Sequence, residues 1–206
     1  MSSLPSILTL GHSTHTWEWF VSLLKLGRAT AVADVRSAPY SRHTPYFSRE
    51  KLAAGLRREA VEYVFLGGEL GGRPSDPHLF SGNIADYEKM ARTESFQTGL
   101  TRVINGASRY RIALLCAERD PLNCHRFLLV SRRLAERGLA ISHILPDGSF
   151  EDHRRTEERL LDATERRDDD LYASQSELLS FAYRDRGRRV AFEESSSNLD
   201  SQLAAK

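Results

Sequence analysis

Strand-length apolar runs alternate with helix-length amphipathic segments over the first 150 residues of the chain. The run at residues 112–115 is typical, because it is apolar on both faces, ends in a polar loop and is followed from Phe127 by apolar residues at helical spacing. A strand without a polar face belongs in a sheet that is covered on both sides. We predict strands at residues 7–10, 31–35, 62–65, 112–115 and 140–145.

Helical patterns occupy the segments between these strands. The first helix begins after Thr14 or Thr16, either of which can serve as its N-cap, and ends at Gly27. Alternating strands and helices imply right-handed crossovers and a parallel sheet. We therefore predict an α/β fold, three-layered and Rossmann-like, with a mostly parallel sheet of about five strands and helices on both faces. The other predicted helices cover residues 48–59, 87–91, 96–104, 127–134 and 150–167.

The chain of 206 residues is long enough for one well-buried domain. We predict that this domain spans residues 1–150. Residues 151–189 are strongly charged and have a narrow apolar stripe through Leu160 and Leu161, which indicates a C-terminal helical extension. Beyond Arg189 the chain contains Glu-Glu-Ser-Ser-Ser-Asn, and residues 190–206 are predicted to be a disordered tail.

The charge balance excludes strong long-range attraction of nucleic acid by the whole molecule, because the formal net charge is only +1. Residues 1–167 are mildly basic, at +4, and residues 168–206 carry −3. Two cysteines cannot form a disulfide framework in a chain of this size. The N-terminus lacks the basic and apolar regions of a signal peptide, and no apolar run approaches the ~18 residues of a membrane span. We expect a soluble cytoplasmic protein without a membrane partner.

A polar motif follows each of the predicted strands. Open α/β sheets bind ligands at the edge formed by the carboxyl ends of their strands, so these motifs are expected to converge on one site. The glycine-rich segment after the third strand is typical of a backbone that approaches a ligand closely, and a plain flexible loop is the alternative. The motifs are Gly11-His-Ser13, Asp34-Val-Arg36, Gly68-Glu-Leu-Gly-Gly72, Cys116-Ala-Glu118 and Pro146-Asp-Gly148.

The loop after the fourth strand joins two cysteines to the start of a helix. Asp120 can serve as its N-cap, with Pro121 at the first helical position. Alternatively, Asn123 caps a helix that starts at Cys124. Either start puts Cys124 near unpaired amide groups and the positive end of the helix dipole, where a thiolate is favoured. Cys124 is therefore a candidate nucleophile or metal ligand; the alternative is that both cysteines are small buried hydrophobic residues.

The other polar residues at the predicted edge suit acid–base and anion-binding roles. His12 can act as an acid or base or can be a hydrogen-bonded structural residue, and Asp34 can orient His12 or anchor its own loop. Arg36 and Arg126 can form a fork for phosphate or carboxylate, or can be structural salt-bridge partners. The candidate catalytic residues are His12, Asp34, Glu118 and Cys124. The candidate ligand-binding residues are Gly11, Ser13, Arg36, Tyr40, Ser41, Glu69, Gly71, Gly72, Cys116, His125 and Arg126.

Three classes of function fit these residues. The first is an enzyme, a hydrolase or transferase, that acts on a phosphate-bearing ligand such as a nucleotide, a sugar phosphate or a nucleic-acid base. The second is a metal-binding protein for zinc or iron, although the Cys-x7-Cys-His spacing matches no common structural zinc pattern. The third is a non-catalytic nucleotide or nucleic-acid binding module that stacks bases on Tyr40, Tyr46 and Phe47. The sequence does not identify a cofactor. A transition metal is the alternative to none, with Cys116, Cys124, His125 and His12 as candidate ligands.

Four motifs together resemble the bacterial family known as domain of unknown function 488. The resemblance covers roughly residues 7–150 and implies a three-layer α/β domain without a particular activity. A weaker similarity is to rhodanese-like sulfurtransferases, which also carry Asp-Val-Arg after an early strand and a reactive cysteine after a later one. Their oxyanion loop closes over about five residues, whereas nine residues separate Cys116 from Arg126. The motifs are Leu10-Gly-His-Ser-Thr14, Asp34-Val-Arg-Ser-Ala-Pro-Tyr-Ser41, Glu69-Leu-Gly-Gly-Arg73 and Cys116-Ala-Glu-Arg-Asp-Pro-Leu-Asn-Cys-His-Arg126.

Overall fold

A computed structural model describes residues 6–165 and 174–194 of the chain. They form the predicted three-layer α/β fold, in which a mostly parallel sheet is covered by helices on both faces. The strands are β1 (Ser6–Gly11), β2 (Ala31–Asp34), β3 (Glu62–Phe65), β4 (Phe80–Ser81), β5 (Ile84–Ala85), β6 (Ile112–Cys116), β7 (Ala140–Ile144) and β8 (Phe150–Asp152). The helices are α1 (Trp17–Leu26), α2 (Arg49–Arg58), α3 (Gly67–Leu70), α4 (Tyr87–Met90), α5 (Glu94–Gly106), α6 (Arg132–Ala135), α7 (His153–Ala163) and α8 (Gln175–Val190). A π-helical segment, Arg126–Ser131, leads directly into α6.

The main sheet has six strands in the order β3-β2-β6-β1-β7-β8. The first five in this order are the predicted strands and run parallel, whereas β8 pairs antiparallel with β7. The prediction that a helix begins at Phe150 was wrong, because a turn at Gly148, with φ of +87°, returns the chain along the edge of β7. The helix begins at His153 instead, where Asp152 serves as its N-cap.

Apolar side chains fill the space between the sheet and the helices on each face. On one face, Phe20 of α1 and Leu56 of α2 lie in the same cluster as Leu10 of β1. On the other face, Phe96 of α5 and Leu129 of the π-helical segment belong to a second cluster that contains alternate strand residues. The central strands are buried on both faces, which explains why they read as continuous apolar runs in the sequence.

Strands β1 and β6 lie side by side at the centre of the sheet, and the connections that leave them run in opposite directions. From β1 the chain passes through α1 to β2, beyond β6, and from β6 it passes through α6 to β7, beyond β1. Two backbone hydrogen bonds continue this pairing past the strands, from His12 N to the Cys116 oxygen and from Ser13 N to the Ala117 oxygen, both 2.9 Å long. Such a switch point is where open α/β sheets bind ligands.

Helices α7 and α8 pack beside the π-helical segment, with Tyr183 of α8 buried against Phe127. A capping box formed by Ser174 and Glu177 begins α8. Residues 191–194, at the start of the predicted tail, run beside β5, while positions 166 and 167 of the predicted helix and residues 195–206 of the tail lie outside the described residues. Among the helices of the described part, none combines the length and the hydrophobicity needed to cross a lipid bilayer.

Candidate functional site

A pocket of about 420 Å³ opens at the carboxyl edge of the sheet, beside the switch point. Loops that follow four of the parallel strands line it, through residues such as His12, Arg36, Gly72 and Cys116. The predicted convergence of the polar motifs therefore holds for four of the five. The fifth motif, Pro146-Asp-Gly148, does not line this pocket; its Pro146 and Asp147 line a separate depression with Asp120. The separate position of this motif follows from the strand order, because the motif follows β7, which lies outside the crevice between β1 and β6.

Four side chains with metal-ligand chemistry meet on one wall of this pocket. One donor atom from each of them lies within 4.8 Å of all the others. The carboxylate oxygen Oε2 of Glu118 accepts hydrogen bonds from both thiols, at 2.8 Å from Cys116 and 3.0 Å from Cys124. The Nδ1 atom of His125 lies 3.6 Å from the sulfur of Cys116 and 4.0 Å from that of Cys124. We call Cys116, Glu118, Cys124 and His125 the Cys–His–Glu cluster.

The local fold of the loop after β6 brings the two cysteines together. Cys116 is the last residue of β6, and Asp120 caps a short 3-10 turn as predicted by accepting from Leu122 N. Cys124 follows that turn with extended backbone, and its carbonyl accepts from the first amides of the π-helical segment. Its sulfur accepts from Arg126 N at 3.4 Å, so Cys124 caps the helix and points back toward the end of β6. Asn123, the alternative cap, instead accepts a hydrogen bond from Arg186 of α8.

The orientation of His125 is fixed from the side opposite the thiols. Its Nε2 atom lies 2.9 Å from the carbonyl oxygen of Val35, which can only accept a hydrogen bond. Nε2 therefore carries a proton, and in the neutral ring Nδ1 is the nitrogen without one and faces the two sulfurs. This is the tautomer that binds a metal through Nδ1, and a carbonyl behind the ring is the usual support of a ligating histidine.

The loop after α3 passes directly behind the His125 ring. A Cβ atom built on Gly72 would lie 2.8 Å from Cγ of that ring, closer than real contacts allow. The neighbouring Gly71 is similarly tight against Ser37. The glycine-rich segment was predicted to approach a ligand closely; in the structure its Gly72 approaches the side chain of His125.

Glu118 and Cys124 differ in the direction of their pKa shifts. Burial opposes the ionisation of Glu118, but hydrogen bonds from the two thiols outweigh it and lower the pKa to about 2. Burial raises the pKa of Cys124 well above its ordinary value, and its contact with Cys116 adds to the shift. The predicted thiolate at Cys124 is therefore wrong for the metal-free chain, because complete burial outweighs the helix dipole. The cluster holds a carboxylate charge and two thiol protons that a cation can displace.

Asp34, Arg36 and His12 form a separate buried chain in the same pocket. The fully buried Asp34 carboxylate accepts from Nε and Nη2 of Arg36, at 2.8 and 2.6 Å, and from the hydroxyl of Tyr63 at 2.9 Å. Arg36 Nη1 in turn donates to Nε2 of His12 over 3.1 Å. Asp34 also accepts from the backbone N–H of Arg36, so it anchors its own loop, which was one of its two predicted roles.

His12 is held as a neutral ring by these contacts. Its Nδ1 bonds to the carbonyl oxygen of Ser13 at 2.9 Å, and the ring stacks on Phe47 with centroids 4.4 Å apart. Burial, followed by the nearby charge of Arg36, lowers the pKa of His12 to about 4. Both ring nitrogens are engaged, so His12 is not placed among the metal-ligand donors as the sequence had suggested.

Arg126 does not form the predicted anion fork with Arg36. Its side chain is completely buried and donates to the carbonyl oxygens of Glu118, at 2.6 Å, and Arg119, at 3.2 Å. These carbonyls lie in a loop without regular pairing and need donors. Gly11 makes room for the same loop, since a Cβ there would lie 1.8 Å from the Glu118 oxygen.

The remaining predicted residues divide between the pocket and the protein surface. Tyr40, which is 72% exposed, and Ser41 line the pocket. Ser13 is not among the lining residues; its backbone has φ of +46°, and its N–H donates to the carbonyl oxygen of Ala117, just after β6. Glu69 lies outside the pocket lining and forms an ion pair with Arg102 of α5. Further lining residues were not among the predicted site residues. Arg42, His43 and Arg73 lie in the same loops, which was an available signal, whereas Tyr87 is the first residue of α4.

A family model described as Domain of unknown function DUF488 matches residues 16–133 of the chain. This range contains β2, β3 and β6 together with all four residues of the Cys–His–Glu cluster. It excludes His12 and the C-terminal helices. Searches of the curated proteins and of the solved structures gave no match.

Proposed function

We propose that this chain, which belongs to the family of Domain of unknown function DUF488, is a metal-dependent enzyme acting on a phosphate-bearing ligand at the carboxyl edge of its sheet. The family membership agrees with the motif resemblance and brings no activity with it. The observation that carries the proposal is the Cys–His–Glu cluster, which forms one wall of a pocket whose other charged residues are basic.

The cluster has the ligand types and spacing of a zinc-like ion. Two atoms bound to one tetrahedral zinc ion, a sulfur at ~2.3 Å and a nitrogen at ~2.0 Å, stand ~3.6 Å apart. The Nδ1 atom of His125 is 3.6 and 4.0 Å from the two sulfurs, so an ion can enter with little movement of these groups. Thiolate and imidazole ligands favour zinc and related transition metals over magnesium or calcium.

The basic side of the pocket favours an anionic ligand. Arg42, His43 and Arg73 line it, and Glu118 is the single carboxylate among the described lining residues. Guanidinium groups bind phosphate through paired hydrogen bonds. The pocket volume of about 420 Å³ suits a small phosphate ester. The exposed ring of Tyr40 offers a flat surface for a nucleobase, which favours a nucleotide over a simple sugar phosphate.

The metal part of the proposal is tested by elemental analysis of the purified chain after incubation with zinc and removal of free ion. We expect about one equivalent of bound zinc in the wild type and a large loss in His125→Asn. His78→Asn, at an exposed histidine outside the pocket, is the matched control. Less than about a tenth of an equivalent in folded wild-type protein contradicts the proposal.

The ligand part is tested separately by thermal shift with inorganic phosphate, a nucleoside monophosphate and a sugar phosphate. We expect stabilisation that grows with ligand concentration, as it does for any ligand that binds only the folded state. Binding without turnover of any phosphate ester would instead assign the chain to the non-catalytic binding modules. If none of these compounds changes the melting temperature, the phosphate-bearing ligand is contradicted, whereas the proposed metal site is not affected.

A further inference from the structure

We infer that the ion in the Cys–His–Glu cluster is held by Cys116, Cys124 and His125, while Glu118 bonds a water molecule at a fourth position open to the pocket. The reaction at this site is then a hydrolysis in which Glu118 transfers the proton. The inference rests on the proposed metal site and adds the class of reaction.

The four side chains differ in burial. Cys116 and Cys124 are 2% and 1% exposed, and His125 is 9% exposed, whereas Glu118 is exposed as a whole residue, with its carboxylate partly buried against the thiols. Cys116, Glu118 and His125 line the pocket, but Cys124 lies behind them. The cluster is thus closed on the protein side and open on the pocket side, where Glu118 lies.

The four groups also differ in how firmly they are fixed. Cys116 ends a central strand, Cys124 caps the π-helical segment, and the ring of His125 is fixed by Val35. Glu118 lies in the loop after β6, where Arg126 holds its backbone carbonyl at 2.6 Å. Its carboxylate accepts hydrogen bonds from the two thiols and from its own backbone N–H, and a metal ion would remove the two thiol protons.

The carboxylate oxygen of Glu118 lies closer to the two sulfurs than two ligand atoms of one ion do. Oε2 of Glu118 lies 2.8 and 3.0 Å from the two sulfurs, within hydrogen-bond distance. Two ligand atoms on one tetrahedral zinc ion are separated by ~3.6 Å, so an ion bound to both sulfurs displaces this oxygen. The displacement is toward the pocket, because the other sides are occupied by buried groups. From there the carboxylate reaches a water at the fourth position.

Three protein ligands with water in the fourth position are the arrangement of catalytic zinc sites, and two cysteines with one histidine form one such set. In the hydrolytic step, the water oxygen bonds to the electrophilic atom of the substrate while Glu118 takes one water proton. The bond to the leaving group breaks, the leaving group keeps the electron pair, and Glu118 returns the proton to it. The second water proton stays on the hydroxyl of the product, so water is the only co-reactant.

The test uses the full chain loaded with Co²⁺, whose visible absorption reports the coordination of the ion. Azide is added to the wild type, to Glu118→Gln and to the control Glu69→Gln, and Co²⁺ affinity is measured by competition with a chelator. We expect azide to change the spectrum of all three proteins, because the fourth position is open. Glu118→Gln should weaken Co²⁺ binding by no more than about 100-fold, the upper end for a change outside the ligand shell.

Two results would overturn the inference, and they are distinguishable. If Co²⁺ binds the wild type but azide leaves its spectrum unchanged, and Glu118→Gln weakens binding more than about 100-fold, Glu118 is a permanent fourth ligand and the site is closed. That result would support the metal site of the proposed function and would rule out hydrolysis at it. If folded wild-type protein binds no Co²⁺, the proposed metal site is contradicted, and the inference that rests on it is contradicted as well.

Discussion

Gly72 lies directly against the imidazole ring of His125, with room for a hydrogen atom but not for a methyl group. A Cβ atom built at position 72 would be 2.8 Å from Cγ and 3.0 Å from Nδ1 of that ring. On its other side the ring donates to the carbonyl oxygen of Val35. The ring is therefore held between two backbone segments that follow β2 and α3.

The change Gly72→Ala is expected to push the His125 ring out of this position and to weaken metal binding by 10- to 100-fold, the range for disturbed support of a ligand. Gly68→Ala is the matched control, because a Cβ there meets no atom within 4 Å. The measurement is a chelator competition titration of both variants. Equal metal affinity in the two variants would show that the ring position does not matter for binding.

The buried ion pair of Asp34 and Arg36 is expected to be a major contributor to stability. Asp34→Asn leaves a guanidinium buried without its counter-charge, which costs ~3–5 kcal/mol of unfolding free energy. The double change Asp34→Leu with Arg36→Met should recover most of that loss, because it removes both charges. Glu59→Gln breaks the exposed pair with Lys25 and should cost less than about 1 kcal/mol. Urea unfolding measures the free energy of unfolding of all three variants. If Asp34→Asn is no less stable than the control Glu59→Gln, this prediction is refuted.

The strands and their convergence were predictable from the sequence, and the direction of individual side chains was not. Runs such as residues 112–115 are apolar on both faces, so they identify buried parallel strands without further information. Residues 150–152 carry no such signal, because this three-residue edge strand has one apolar and two acidic residues. Its formation depends on a turn that returns the chain to β7, which is a tertiary relationship.

The same distinction separates the predicted site residues that the structure brings together from those that it does not. Cys116, Cys124 and His125 were named as metal-ligand candidates because their residue types limit what they can do. Arg126 was misassigned because a guanidinium serves a phosphate or a loop carbonyl equally well, and only the fold shows that it faces the carbonyls. Glu118 was given an acid–base role without a link to the thiols, since the loop geometry that joins them is not a sequence pattern.

The buried histidines His143 and His153 are expected to make the fold sensitive to mild acid. Nε2 of His143 lies 3.1 Å from Nδ1 of His153, and Thr9 and Tyr183 bond to their outer nitrogens. Burial lowers the pKa of His153 to about 4 and that of His143 well below its ordinary value. The unfolded chain binds protons on both rings below a pH of about 6.5, whereas the folded chain does not. Their contribution is therefore present above that pH and is lost as the pH falls toward 4.

The variant His153→Gln should flatten this pH dependence. The difference in unfolding free energy between pH 7 and pH 4 is expected to be about 3 kcal/mol smaller than in the wild type. Urea unfolding at several pH values measures it, with His78→Asn as an exposed-histidine control that keeps the wild-type profile. Parallel profiles for His153→Gln and the wild type would mean that His153 does not titrate differently on unfolding.

The guanidinium of Arg73 is expected to contribute to phosphate binding in the pocket. Arg73 lines the pocket and lies 5.1 Å from the centre of the Phe192 ring, which positions its charge. Arg73→Gln removes a charge-assisted hydrogen bond, a loss that corresponds to ~10-fold or more in the dissociation constant of a nucleoside monophosphate. Arg73→Lys keeps the charge and should lose less of the affinity for the nucleoside monophosphate.

Arg57→Gln, which alters a different surface depression, is the control. Calorimetric titration gives the constants; if both Arg73 variants bind like the control, the ligand does not contact this side of the pocket.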